Sequence, residues 1–146
     1  MKWIICFTKS PNIGIWRLFT LHRPEFGHVF AVRFDPETKV WIYTEFASEN
    51  FNFWTLKGDD ATEMISSLHD YCTCVEFEAV ENPIHLPKFM YCVAFIKHLV
   101  GIGDIRICTP YQLHCELLKR GGQPIFERQS KESADGINIE DAQTAG

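Results

Sequence analysis

The chain has no apolar run that approaches the roughly 18 residues a membrane-spanning helix needs. Its first apolar stretch, Met1 to Phe7, is too short for a secretory signal. It also has no cluster of Lys and Arg, and its 14 basic and 19 acidic residues give a formal net charge of -5. That balance argues against binding to a phosphate backbone as the main function. We therefore expect synthesis in the cytoplasm, no transmembrane segment and no nucleic-acid partner.

Two binding signatures are incomplete. One residue separates Cys72 from Cys74, whereas paired zinc ligands are typically separated by two to four. The run Gly101-Ile102-Gly103 lacks the third glycine of a dinucleotide-binding loop and does not join a strand to a helix start. We expect neither a metal nor a cofactor, and a redox or metal role for Cys72 and Cys74 stays a weaker alternative.

The abundant residues favour a single folded domain. Hydrophobic residues make up 46% of the 146 residues, which is enough for one core. Twelve Phe, four Trp and four Tyr favour the half-buried, pleated surfaces of a sheet. From Glu127 onward the composition becomes polar and small. The sequence predicts one domain over residues 1–126 and a mobile acidic tail over 127–146.

Strand signals come first along the chain, and helix signals follow. The clearest element is a hairpin, because aromatic and β-branched residues fill two arms, 28–34 and 40–46, on either side of Asp35-Pro36. Further strands are expected over 3–8, 15–20, 51–56 and 74–80. Helices are expected over 61–71 with Asp60 as cap, over 87–100, and over 111–119 with Thr109 as cap and Pro110 first. This order predicts an α+β domain whose antiparallel sheet carries its helices on one side.

One cysteine and one histidine stand where a thiol nucleophile and its base are needed. Cys92 lies near the beginning of the expected 87–100 helix, and the amino end of a helix favours a thiolate. His28 opens the first arm of the hairpin behind Gly27, which permits close approach by another group. A thiol activated by an imidazole is the arrangement of cysteine-dependent acyl transfer. The competing interpretation is a buried helix thiol and a structural histidine.

The residue that would orient His28 depends on the register of the hairpin. If Phe34 faces Val40, His28 pairs with Phe46 and shares a face with Thr44. A shift of one residue instead puts Glu45 diagonally beside His28. Glu45 is the better partner chemically, because a carboxylate holds the imidazole tautomer and supports its positive form. The length of the turn leaves both registers open.

The order of these residues resembles the permuted NlpC-type papain-like superfamily, which includes the lecithin retinol acyltransferase-like enzymes. A strand-borne His28 comes first, a polar or acidic residue on the next strand second, and Cys92 on a later helix third. The similarity spans roughly residues 25–120 and is most specific to small phage-encoded members, which carry a C-V-x-x-x-K-x-x-x-G-I helix followed by a T-P-x-Q-L helix. The matching segments here are Cys92-Val93-Ala94-Phe95-Ile96-Lys97-His98-Leu99-Val100-Gly101-Ile102 and Thr109-Pro110-Tyr111-Gln112-Leu113.

The resemblance implies a papain-like core in which Cys92 is the nucleophile, His28 the general base and Glu45, or Thr44, the orienting residue. It implies a hydrolase or acyltransferase that acts on a peptide, isopeptide or acyl substrate. An amidase or peptidase is the leading expectation. The alternative is an inactive papain-like module that binds a virion or host protein. On either interpretation the phage-encoded members add the virion as a place of action.

Overall fold

The computed structural model describes residues 1–9, 23–47, 50–80 and 90–127, and these residues form one antiparallel sheet with α-helices against it. The sheet confirms the α+β class. Its six strands follow the order β4-β3-β2-β1-β5-β6. They are β1 (Lys2–Thr8), β2 (His28–Asp35), β3 (Val40–Ala47), β4 (Asn50–Leu56), β5 (Cys72–Glu78) and β6 (Gln123–Phe126). The helices are α1 (Gly58–Tyr71), α2 (Cys92–Val100) and α3 (Pro110–Lys119).

Most strands expected from the sequence are present. The expected strand over 15–20 and the tail beyond Glu127 lie outside the described residues. The short strand β6 was not predicted, and it pairs with β5 through an irregular register between Cys74 and Val75. Within the described part of the chain, no helix is long and apolar enough to cross a membrane.

The hairpin of β2 and β3 adopts the register that brings Glu45 toward His28. Asp35 pairs with Val40, so the chain is shifted by one residue from a pairing of Phe34 with Val40. The turn explains the shift, because Asp35 belongs to the strand and its carboxylate accepts hydrogen bonds from the Glu37 N–H and the Thr38 hydroxyl. Pairing of His28 with Phe46 is therefore wrong.

Helices lie on both faces of the sheet, so the expectation of helices on one side is wrong. Helices α2 and α3 cover the face that carries Val29 and Ala31. Helix α1 packs through Leu68 and Met64 against the opposite face, which carries Phe30 and Val32. The alternating side chains of β2 separate these two sets, because successive residues of a strand point to opposite faces. Both faces of the central strands are consequently apolar.

Two helix boundaries differ from the sequence prediction. Asp60 lies inside α1 rather than capping it, and the residue before the helix is Lys57, which makes no side-chain cap. Helix α2 begins at Cys92, because the Tyr91 backbone is extended at φ -150° and ψ 172°. The expected start near residue 87 falls in the undescribed segment 81–89, but Met90 and Tyr91 are not helical.

The carboxyl end of α2 is fixed by a glycine. Gly101 has a φ of 81°, in the left-handed region that L side chains rarely adopt. A methyl group on its Cα would overlap the carbonyl oxygen of Val80, two residues beyond the end of β5. The Val80 N–H also donates to the Val100 carbonyl at 3.2 Å. The end of α2 is thus held against Val80, in the short segment that follows β5.

Candidate active site

The imidazole of His28 and the carboxylate of Glu45 form a direct pair at one end of the hairpin. The distance from His28 Nε2 to Glu45 Oε1 is 2.7 Å, and the two side chains are 20% and 16% exposed. The register places Glu45 one residue beyond Thr44, the partner of Ala31, on the face that also carries His28. Because the carboxylate occupies Nε2, that nitrogen carries the ring proton in the neutral tautomer, and Nδ1 is left as the basic nitrogen.

Glu45 has further partners on its own and the neighbouring strand. Its second oxygen, Oε2, accepts a hydrogen bond from Asn52 Nδ2 at 3.0 Å. Asn52 lies directly opposite Glu45 in the pairing of β3 with β4. The hydroxyl of Tyr43 also interacts with Glu45, and the pKa of Tyr43 is raised by burial and by this carboxylate. Tyr43 is in turn stacked on Trp54, with ring centroids 5.0 Å apart.

Thr44, the other orienting residue that the sequence left open, does not share this surface. Its side chain is 2% exposed, and it lies opposite Ala31 on the face that α2 and α3 cover. Adjacent residues of a strand point to opposite faces, so the register that brings Glu45 to His28 takes Thr44 away from it. Of the two alternatives, the structure brings only Glu45 to the imidazole.

Cys92 occupies the first helical position of α2. A helix that began near residue 87, as the sequence predicts, would place the thiol a full turn inside it, where the effect of the helix end has faded. The structure places it at the start, with Tyr91 as the residue before the helix. The backbone N–H groups of Cys92 and Val93 lower the pKa of the thiol, as unpaired N–H groups at a helix start favour negative charge.

Burial nevertheless dominates the titration of Cys92. Removal of the thiol from water raises its pKa above the ordinary value, and the charge of Glu45 contributes a smaller effect in the same direction. The N–H groups of Val29, Cys92 and Val93 offset part of this increase. At neutral pH the sulfur is therefore held mainly as a thiol, and its use as a nucleophile requires a base.

The thiol meets strand β2 at the residue that follows His28. The backbone N–H of Val29 acts on the Cys92 sulfur, and the nitrogen of Val29 is bonded to the carbonyl carbon of His28. The pairing of β2 with β3 ends at Ala31 and Thr44, so the first residues of β2 and the last residues of β3 are not paired with each other, although they pair with β1 and β4. At this end of the hairpin, Cys92 lies on the face that α2 covers, and the His28 side chain lies on the opposite face.

The Cys92 thiol is adjacent to the N–H of Val29, the residue after His28, and it is not hydrogen-bonded to the imidazole. Among the described residues, the hydrogen-bond partner of the His28 ring is Glu45, and no direct hydrogen bond joins the ring to Cys92 Sγ. The Glu45 charge reaches the thiol electrostatically. The thiol at the start of α2 and the His28–Glu45 pair thus lie on opposite sides of the peptide bond between His28 and Val29.

The other residues of the C-V-x-x-x-K-x-x-x-G-I and T-P-x-Q-L segments have structural roles. Lys97 Nζ donates to the carbonyls of Asp104 and Ile107 and thereby fastens the loop after α2. Thr109 and Gln112 form a capping box at the start of α3, with Gln112 N to Thr109 Oγ1 at 3.2 Å and Thr109 N to Gln112 Oε1 at 3.1 Å. Ile102 and Leu113 are buried, so their apolar side chains contribute to the core.

Tyr91 and Cys108 form a second polar contact near the start of α2. The pKa of Tyr91 is raised to about 12, first by burial and then by its interaction with the Cys108 thiol. No sequence pattern assigns a role to Tyr91, and nothing in its residue type indicates that the extended segment ends there, just before Cys92. Among the described residues, no group of three His, Cys, Asp or Glu side chains is arranged to hold a metal ion.

Comparisons of the chain with protein-family models, with curated proteins and with solved structures give no match. The resemblance to the permuted papain-like superfamily therefore rests on the order and identity of the residues quoted above.

Proposed function

We propose that the protein is a cysteine-dependent hydrolase or acyltransferase built on a permuted papain-like fold. Within that class, an amidase or peptidase is the leading candidate. The observation that carries the proposal is the 2.7 Å pair of His28 and Glu45 beside the peptide bond that Cys92 Sγ contacts at Val29. Each part has a chemical use: a partly buried thiol needs a base, and an imidazole bound through Nε2 offers Nδ1 as that base.

The reaction begins with proton transfer from Cys92 Sγ to His28 Nδ1, and the sulfur attacks the carbonyl carbon of the substrate. Glu45 supports the imidazolium that forms, since its oxygen already accepts the Nε2 proton. The imidazolium then gives its proton to the leaving amine or alcohol as the tetrahedral intermediate collapses to a thioester. Water, or another acceptor in a transferase, attacks the thioester with His28 again acting as base.

Cys92 and the His28 side chain lie on opposite faces of β2, so the proton transfer requires a rearrangement of the site. His28 must turn toward Cys92, or one water must bridge the two groups, because catalytic hydrogen bonds in the absence of substrate are commonly long. The backbone N–H of Cys92 is the one donor we assign to the developing oxyanion, as it lies at the start of α2. Peptide, isopeptide and acyl ester substrates all supply the carbonyl that this chemistry needs.

Mapping an acyl-enzyme tests this proposal. The full chain is incubated with p-nitrophenyl acetate, which releases p-nitrophenolate when its acetyl group passes to a nucleophile, and the acetylated peptide is identified by mass spectrometry. We expect the acetyl group on Cys92 and no such adduct in the Cys92→Ser variant at neutral pH. Cys115→Ser, which alters an exposed thiol on α3, is the matched control and should leave the adduct unchanged.

Acetylation distributed over Cys108 and Cys115 as strongly as over Cys92 would contradict the proposal. Those two thiols are exposed, whereas Cys92 is partly buried, so solvent access alone favours them. Preference for the less accessible sulfur is what activation by His28 predicts.

The edge strand β4 favours a second candidate function, an inactive module that binds a virion or host protein. This strand exposes three aromatic side chains, Phe51, Phe53 and Trp54, at 56%, 55% and 52%. It also contains no charged residue, although charges commonly protect an exposed edge from pairing. Under this candidate, a Cys92→Ala protein keeps its full biological effect, whereas the enzyme proposal predicts that the effect is lost.

A further inference from the structure

We infer that Asn52 is a positioning residue for this site, which fixes the Glu45 carboxylate and, through it, the tautomer and orientation of His28. The inference rests on the proposed function for its catalytic consequence. Its structural content, an amide that holds the carboxylate against the imidazole, stands on the contacts alone. Among the described residues, the hydrogen-bond partner of the Asn52 side chain is Glu45, so Asn52 acts on His28 through that carboxylate.

The two carboxylate oxygens of Glu45 have different partners. Oε1 is 2.7 Å from His28 Nε2, and Oε2 accepts from Asn52 Nδ2 at 3.0 Å. A carboxylate held at one oxygen rotates about its terminal torsion, whose energy profile is broad. A second hydrogen bond at the other oxygen removes that freedom. The Asn52 amide thus sets the direction in which Oε1 faces the ring.

The amide also preserves the charge that His28 needs. A guanidinium or ammonium in the same place would neutralise the carboxylate and weaken its support for an imidazolium. An amide donates a hydrogen bond without adding a charge. The choice of Asn at the position opposite Glu45 therefore combines orientation with an intact negative charge.

The local sequence is consistent with a role for this side chain. Asn is depleted in strands, yet β4 carries it at position 52 between two exposed aromatic residues, Phe51 and Phe53. Most of the strand is exposed, whereas Asn52 is partly covered. Direct cross-strand pairing with Glu45 gives the residue its contact, since opposite side chains on one face of an antiparallel pair meet.

The strand supplies its own matched control. Asn50 is the same residue type on the same face of β4, two positions away, but it is exposed and lies opposite Ala47 rather than a carboxylate. Asn50→Ala removes the same amide group from the same strand as Asn52→Ala and has the same effect on strand propensity. Any difference between the two variants then reports the contact with Glu45.

The test combines a spectroscopic readout with turnover of p-nitrophenyl acetate in the full chain. In histidine side-chain proton–nitrogen spectra, we expect a His28 Nε2–H signal protected from exchange in the wild type and in Asn50→Ala. We expect that signal to broaden in Asn52→Ala, and kcat to fall about tenfold with KM unchanged, the scale on which groups that orient active residues act. Thermal melting shows that each variant is folded.

A second variant keeps the test decisive if Asn52→Ala folds poorly. Asn52→Asp has nearly the same shape but cannot donate to ionised Glu45, and it adds a negative charge beside His28. We expect the acid limb of the turnover profile, on which His28 takes up a proton, to move to higher pH. Asn50→Asp should move it less.

The outcomes separate the two proposals. An unchanged Nε2–H signal and unchanged kcat in Asn52→Ala, or no protected signal in the wild type, overturns the positioning role. A protected signal that depends on Asn52 in a protein that forms no Cys92 adduct supports the positioning role and overturns the proposed acyl transfer.

Discussion

Two groups of cysteines show how differently the same side chain is used in this fold. Cys6, Cys72 and Cys74 lie side by side on strands β1 and β5. They are on the sheet face that α1 covers, where they are buried together with Phe30 and Leu68. Cys92 lies at the first residue of a helix, partly buried, beside the amide of Val29. The sequence presents all four as thiols among apolar neighbours, and only their surroundings in the fold distinguish them.

The pKa values of Cys74 and Cys92 are both raised, but by different causes. For Cys74 the largest is the interaction with the Cys6 thiol directly across the sheet, whereas for Cys92 it is burial. Of these two thiols, only Cys92 has backbone N–H groups that oppose the increase, and only Cys92 is affected by the charge of Glu45, the partner of His28. A raised pKa therefore does not distinguish a buried structural thiol from the proposed nucleophile, whereas proximity to the His28–Glu45 pair does.

Substitution of Cys92 and substitution of Cys74 should differ most, both in turnover and in the free energy of unfolding. Cys92→Ala should lower turnover of p-nitrophenyl acetate by about 10³-fold or more, because the nucleophile is lost. Its effect on the free energy of unfolding should be about 1 kcal/mol or less, because the side chain is only partly buried and packs at the edge of the core. Steady-state kinetics and urea unfolding measure the two quantities.

Cys74→Ala should show the reverse pattern. The side chain is fully buried, so its truncation should lower the free energy of unfolding by about 1–3 kcal/mol and leave turnover within about twofold. Turnover that survives in Cys92→Ala, or that is lost in folded Cys74→Ala, would erase the distinction between the two kinds of thiol.

A smaller difference is expected between the two residues that the sequence offered as orienting groups. Glu45→Gln keeps an oxygen for the Nε2 proton but removes the charge that supports the imidazolium. Turnover should fall by about 10²-fold, within the range that general acid–base catalysis contributes. Thr44→Val, which keeps the shape of a buried side chain on the opposite face, should leave turnover near the wild-type value. Equal losses in the two variants would argue against the Glu45 assignment.

The sequence predicts those parts of the fold that depend on local signals. The arms of the hairpin follow from their aromatic and β-branched residues, and the start of α3 follows from Thr109, Pro110 and Gln112, whose chemistry makes a capping box. The strand β6 escaped prediction because it is four residues long and contains Pro124, so its pairing with β5 depends on tertiary contact.

The candidate site depends on features that local signals do not fix. The identity of Glu45 as partner of His28 follows from a one-residue choice of register, and the hydrogen bonds of Asp35 in the turn make that choice. Pro87 suggests a helix start, yet α2 begins at Cys92 because Tyr91 is extended. Asn52 had no signal beyond a β-disfavouring residue in a strand, since its partner lies on another strand.

The pH dependence of Cys92 alkylation tests most directly whether His28 takes the proton of this thiol. The rate of modification by iodoacetamide is followed by mass spectrometry of the Cys92 peptide, between about pH 5 and pH 9, in the wild type and in His28→Gln. Burial raises the pKa of the thiol, so without a base the thiolate forms only at alkaline pH. We predict that the wild type reacts at neutral pH at least about tenfold faster than His28→Gln, and that the rate of the variant rises only toward alkaline pH. Identical rates and identical pH profiles in the two proteins would contradict the account.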